Sequence, residues 1–189
     1  MSNNNTANVS TAKGVKGGYL YAAPLGTTAP SDYSTTLGAE FKNIGFVSED
    51  GITFSTETDS ESLLDMNGDV VDSVKTSHDE KFTVTFAEVK QDALAILYGT
   101  DNVSDLAGAL TLDINGGDTD SHMFVFEGVL KNGRRWRRIV YNAQVVELGD
   151  LAVSAGELFG REATFQVIKD TVTGNFYTDY FQSTETQAS

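Results

Sequence analysis

Ser77, His78 and Asp79 are the residue types of a nucleophile, a general base and its orienting acid, and they stand side by side. Contiguous residues on an extended chain point to alternate faces, so these three cannot hydrogen-bond in series as a triad must. They predict a turn or a strand-end cluster. The only other histidine is His122, and no nucleophile elbow, phosphate-cradling glycine loop or paired-histidine metal motif accompanies either one. The carboxylates are many, but the sequence singles out no pair at glycosidase spacing. The expectation is a protein with no catalytic residues, no metal and no cofactor.

Two further clusters carry polar chemistry. Asp113, Asn115, Asp118 and Asp120 offer oxygen ligands as calcium loops do, but Phe124 occupies the twelfth position from Asp113, where a bidentate Glu belongs. An acidic hairpin turn is the plainer reading of residues 113–120. Lys131, Arg134, Arg135, Arg137 and Arg138 gather five of the 13 basic residues around Trp136. Arginine beside an aromatic ring can stack on nucleic-acid bases. On a strand, however, Arg134, Trp136 and Arg138 face one way and Arg135 and Arg137 the other, which splits the patch. Pairing with carboxylates, of the same chain or of an adjacent copy, is favoured.

Composition narrows the classes. The chain has 189 residues, 27 acidic against 13 basic, for a formal net charge of -14. That length suits one domain with a real core. Nucleic-acid affinity comes largely from basic residues that release counterions, so so acidic a surface is a poor polyanion binder. There is no cysteine, hence no disulfide or thiolate site. Neither a signal peptide nor a run approaching roughly 18 apolar residues is visible, and a soluble, cytoplasmically made protein is expected.

The elements that would position these groups are mostly strands. In residues 81–88, Phe82, Val84 and Phe86 fall on every second position with threonines between them, the pattern of a half-buried strand. The period then changes to 3.6 over residues 91–98, giving one short helix that Gly99 ends and that must dock on a sheet to persist. Residues 52–55 alternate as a strand, and residues 43–48 and 52–55 flank a turn signal at Glu49-Asp50-Gly51, which predicts a hairpin. Residues 56–69 read as a long acidic loop. It carries Leu63, Leu64 and Met66, which either fold back on their own domain or plug into another molecule; the second is favoured, since a solvated loop has little use for them. Further strands are expected at residues 17–23, 70–76, 109–114, 122–130, 134–148, 162–169 and 175–181, with tight turns at 115–118 and at Asn132-Gly133. Residues 1–16 and 182–189 have the composition of flexible arms flanking a single domain at 17–181. The expected class is mainly β, a sandwich or barrel with one flanking helix.

Residues 21–27 (Tyr-Ala-Ala-Pro-Leu-Gly-Thr), 45–51 (Gly-Phe-Val-Ser-Glu-Asp-Gly), 67–76 (Asn-Gly-Asp-Val-Val-Asp-Ser-Val-Lys-Thr) and the strand and helix of 82–99 together resemble the major tail tube proteins of long, non-contractile-tailed bacteriophages. The resemblance spans roughly residues 18–103. It implies a tail-tube-type β-sandwich or barrel whose hexameric rings join their inner sheets and stack into a hollow tube that conducts viral DNA. It further implies tail-tip, tape-measure and tail-terminator partners, DNA only transiently in the lumen, no membrane, and a place in the virion tail after assembly in the host cytoplasm. Residues 56–69 match the position of that family's stacking hairpin, which makes Leu63, Leu64 and Met66 expected inter-ring anchors. Thr53, Ser55, Asp72 and Thr83 are candidates to line the lumen. Type VI secretion tube proteins share the fold, and a monomeric carbohydrate-binding sandwich would use Phe176, Tyr177, Tyr180 and Phe181.

Overall fold

The computed structural model describes residues 6, 9–151, 153–156 and 158–183. Within it, the alternating segments form eleven strands: β1 (Ala12–Gly14), β2 (Leu20–Pro24), β3 (Lys42–Asn43), β4 (Val47–Leu64), β5 (Val70–Phe86), β6 (Val103–Leu106), β7 (Ala109–Leu112), β8 (His122–Leu130), β9 (Arg135–Leu148), β10 (Arg161–Val167) and β11 (Tyr177–Phe181). The helix α1 spans Gln91–Tyr98. Nine strands make one antiparallel sheet in the order β3-β2-β8-β9-β10-β5-β4, with β1 sharing an edge of β8 and β11 an edge of β9. The mainly-β expectation with one helix holds.

The sheet curls on itself. Phe82 on β5 stacks on Phe165 of β10 with ring centroids 4.5 Å apart and meets Phe124 and Phe126 of β8 edge-on at 5.2 Å. All four rings are buried. Helix α1 closes this core with Ala93, Ile96 and Leu97, and Gly99, at φ 92°, ends it as the sequence predicts. A second, smaller core lies on the opposite face of β2, β8 and β9, where Met123, Val125 and Ile139 meet Phe41 and Leu37 from the connection between β2 and β3. That explains why β8 reads as a continuous apolar run: it is covered on both sides.

Three sequence expectations are corrected. Residues 56–69 are not a loop. β4 and β5 stay paired from Thr56 opposite Glu80 out to Leu64 opposite Val70, and the reversal is confined to a tight turn in which Asp65 accepts the backbone N–H groups of Asn67 (2.8 Å) and Asp69 (2.9 Å). Its polar composition imitates a loop because none of the described residues outside the ladder packs on either face. Glu49-Asp50-Gly51 does not turn a hairpin. β4 runs through it as a wide bulge, with Val47 and Ile52 opposite Phe86 and Val84, and Gly51 supplies the positive φ of 77° that the bulge needs. Residues 113–121 do not join two partners either, since β7 pairs with β6 in a separate two-stranded sheet and β8 pairs with β9. In the expected N-terminal arm, Ala12–Gly14 adds a strand to β8; residues 1–5, 7, 8 and 184–189 lie outside the described residues.

Phe82→Ala should cost roughly 3–5 kcal/mol, because the cavity would open among four aromatic neighbours, Phe54, Phe124, Phe126 and Phe165, that cannot all collapse into it. Urea unfolding followed by fluorescence measures this; a loss below about 1 kcal/mol would show that the ring cluster does not hold the curl.

Candidate assembly surfaces

Beyond Glu80 the β4–β5 ladder leaves the core. Every residue from 57 to 77 except Asp65 is exposed, giving a two-stranded arm of about 30 Å at strand rise. Paired residues share a face and successive residues alternate, so the register assigns each side chain. Leu63 lies with Val74 on one face, whereas Leu64 lies opposite Val70 on the other. Met66 stands fully exposed in the turn and Val71 sits in a bulge one residue past Val70. The three residues expected as contacts are therefore gathered at one tip but on different faces. Val70, Val71 and Val74 belong to the same apolar tip and went unnoticed, because a segment read as an ordinary strand gives its valines a core to face.

Thr53, Ser55, Asp72 and Thr83 fall on a single face of the ladder, the one turned away from Phe54 and Phe82. Glu57, Asp59, Glu61 and Asp79 share it, and Glu57 stands directly opposite Asp79. Like charges facing each other across a ladder are destabilising, and Lys81, 3.7 Å from Glu57, offsets only part of that. The polar face continues onto β10, where Thr83 Oγ1 lies 3.1 Å from Thr164 Oγ1 and Glu162 and Gln166 follow at alternate positions. This is a broad acidic surface built on strands that are apolar on their other side.

The basic cluster is divided as strand alternation requires. Arg137, almost fully buried, donates Nε to Glu127 at 3.0 Å and Nη1 to the carbonyls of Asp32 (2.7 Å) and Thr35 (2.8 Å), tying the β2–β3 connection to the sheet. Arg138 grips Asp179 through Nε (2.9 Å) and Nη2 (2.6 Å), and its guanidinium lies between the rings of Phe54 and Tyr177. Trp136 Nε1 donates to the same Asp179 at 2.8 Å. These two arginines are satisfied within their own chain. Lys131 and Arg135 are exposed, Arg135 reaching Glu127 only at 3.9 Å, and the Nε of Arg134 is buried with no hydrogen-bond partner among the described residues.

The remaining candidates separate. Ser77 donates to Asp59 at 2.9 Å, while His78, on the opposite face, contacts Glu80 at 2.8 Å and packs on Phe176, so no triad forms. In residues 113–120, Asn115 caps the N–H of Gly117 and Asp120 accepts from Thr100. Among the described residues no three His, Asp or Glu side chains converge as a metal site. Phe176 and Tyr177 pack on the main core, Tyr180 on the second, and Phe181 stacks on Trp136, so they present no flat aromatic platform for a sugar.

The carboxyl of Asp32 is held down to about 2 by the N–H groups of Ser34 and Thr35, both at 2.6 Å, and by the Ser34 hydroxyl. A depressed folded-state value stabilises the fold above the ordinary 3.8 and is lost as pH falls towards 2. Acid unfolding of Asp32→Asn should therefore be shallower than wild type between those two values, as read by circular dichroism; an identical acid limb would show that the Asp32 turn contributes nothing. Arg137→Ala, which strands a buried carboxylate and two carbonyls, should cost roughly 3–5 kcal/mol in urea titration. A loss under about 1 kcal/mol would mean that water replaces the guanidinium.

A family model described as phage tail tube protein matches residues 1–180. Among solved structures, the chain is similar to the tube-terminating cap of the anti-feeding prophage, determined by cryo-electron microscopy, at 12% identity and a TM-score of 0.41, with 90% of this chain and 93% of that one covered. No curated protein matches the sequence.

Proposed function

Because this chain belongs to the phage tail tube protein family, we propose that it is the repeating subunit of a tube that carries viral DNA out of the virion. In this reading hexameric rings stack, with Leu63, Leu64 and Met66 at the ring-to-ring contact and the chain's own β4 edge joined to the sheet of a neighbour. The observation that carries it is the β4–β5 arm, whose exposed tip of six large apolar side chains, Leu63, Leu64, Met66, Val70, Val71 and Val74, has no partner in its own chain among the described residues. An exposed apolar patch on a strand pair is an aggregation hazard in a monomer and a contact surface in a closed symmetric assembly.

The acidic face bearing Thr53, Ser55, Asp72 and Thr83 is the reading's lumen wall. A conduit must let phosphates pass, and a wall without free Lys or Arg offers them no counterion-releasing contact at which to stall. The scattered C-terminal aromatics disfavour a sugar-binding module. Tail-tip, tape-measure and terminator proteins are the other partners, met during assembly in the host cytoplasm.

Negative-stain electron microscopy over a concentration series tests the reading: hollow tubes or six-fold rings are expected. Leu63→Asp with Leu64→Asp should leave the circular dichroism and unfolding midpoint unchanged, because both sites are solvent-exposed, yet prevent elongation. Tubes of normal length from that variant would remove the tip from the ring-to-ring contact.

A further inference from the structure

Three Asn-Gly pairs stand in the chain, at residues 67–68, 115–116 and 132–133. An asparagine before glycine carries its own electrophile and nucleophile, the side-chain Cγ and the next peptide nitrogen, and the glycine's missing Cβ lets them approach. Whether they react depends on how the fold holds them. The side chain of Asn132 lies outside the described residues, so the contrast is between Asn67 and Asn115. At the arm's tip the reacting groups are tied down. The N–H of Gly68 donates to the Asp65 carbonyl at 3.1 Å, and Asn67 Nδ2 donates to the Asp65 carboxylate at 3.1 Å. The attacking nitrogen thus keeps its proton beside a negative charge, and the amide that must leave is anchored.

Residues 113–121 hold Asn115 differently. The segment forms no strand and is fastened near its ends, where Asp113 donates its N–H to the Asn102 carbonyl at 2.9 Å and Gln144 reaches the Thr119 carbonyl at 2.6 Å. Between these anchors Asn115 and Gly116 are exposed, and Gly116, at φ 74°, has open space around it. The N–H of Gly117 donates to Asn115 Oδ1 at 2.8 Å, which turns the side chain back along its own backbone towards the Gly116 peptide. Neither the Gly116 N–H nor Asn115 Nδ2 has an acceptor among the described residues. We propose that Asn115 is a site of spontaneous deamidation in which the Gly117 N–H acts as the oxyanion donor. Hydroxide takes the Gly116 proton, and the nitrogen bonds to Cγ while negative charge gathers on Oδ1, where the Gly117 N–H meets it. The Cγ–Nδ2 bond then breaks, the amide nitrogen leaves as ammonia with a proton from water, and a cyclic imide remains. Water opens the imide at either carbonyl, giving aspartate when the new bond breaks and isoaspartate when the original peptide bond does. Each converted copy gains a carboxylate in a loop that already holds Asp113, Asp118 and Asp120.

Purified protein is held at mildly alkaline pH in heavy-oxygen water, sampled over days and digested at acidic pH, and conversion at each pair is read by mass-spectrometric peptide mapping. In the folded chain Asn115 is expected to convert at least about tenfold faster than Asn67, to a mixture of aspartate and isoaspartate that carries heavy oxygen. In concentrated urea both pairs lose their turns, and the excess should shrink towards parity. Asp65→Ala, which takes the carboxylate away from Asn67, should raise conversion at Asn67 and leave Asn115 as it was. Equal or inverted rates in the folded chain overturn the proposal. A preference for Asn115 that persists undiminished in urea does so too, since it would owe nothing to the Gly117 bond. Aspartate without isoaspartate would mean direct hydrolysis of the side chain and would remove the Gly116 nitrogen from the step.

Discussion

Phe82 touches four other rings, Phe54 of β4, Phe124 and Phe126 of β8 and Phe165 of β10; β4 and β10 flank β5 in the sheet, whereas β8 stands three places away from it. A flat sheet would leave Phe82 and Phe126 on separate strands with no contact. Their T-shaped meeting is what curvature makes possible, and burial of four phenylalanines is what makes curvature favourable. The order of the sheet, the docking of α1 and the direction in which the β4–β5 arm departs all depend on this cluster. β5 is the shared member: its C-terminal half supplies Phe82, Val84 and Phe86 to the core and its N-terminal half forms one strand of the arm.

The arm is acidic and so is the chain, yet the interior uses charge of the opposite sign as fastening. Arg137 binds the β2–β3 connection to β9, and Arg138 clamps β11 to β9 through Asp179 while lying against Phe54 of β4. Guanidinium suits both places, since its planar fork pairs with a carboxylate along one edge and stacks on rings with its face. The cations that remain on the surface are correspondingly few.

Period-two segments with large apolar residues were legible: the strand through Phe82, Val84 and Phe86, the helix ending at Gly99, and the split of Arg135 and Arg137 from Arg134 and Arg138. The failures share a physical cause. Residues 56–69 lack an apolar face because the described residues provide nothing for them to cover, so strand and loop have the same composition there. At Gly51 a turn signal marks a positive φ, and the sequence does not distinguish a bulge from a reversal. At the exposed tip of the arm, Leu63, Leu64 and Met66 stand out in the sequence against acidic neighbours, whereas Val70, Val71 and Val74 become visible only once the register places them in solvent.

The arm's pairing contains two irregularities, one between Asp59 and Ser60 and one between Leu63 and Leu64. Its β4 strand, Thr-Glu-Thr-Asp-Ser-Glu-Ser, repeats so evenly that sliding by two residues would keep polar opposite polar. The bulges and the Asp65 turn break that degeneracy and leave one alignment. Reach then becomes a separable variable. Two residues added to each strand below the bulges would lengthen the arm by about 7 Å with every face preserved, whereas one residue added to each would exchange the faces. A lineage of such chains can therefore change the spacing it spans in discrete steps without redesigning the domain from which the arm extends.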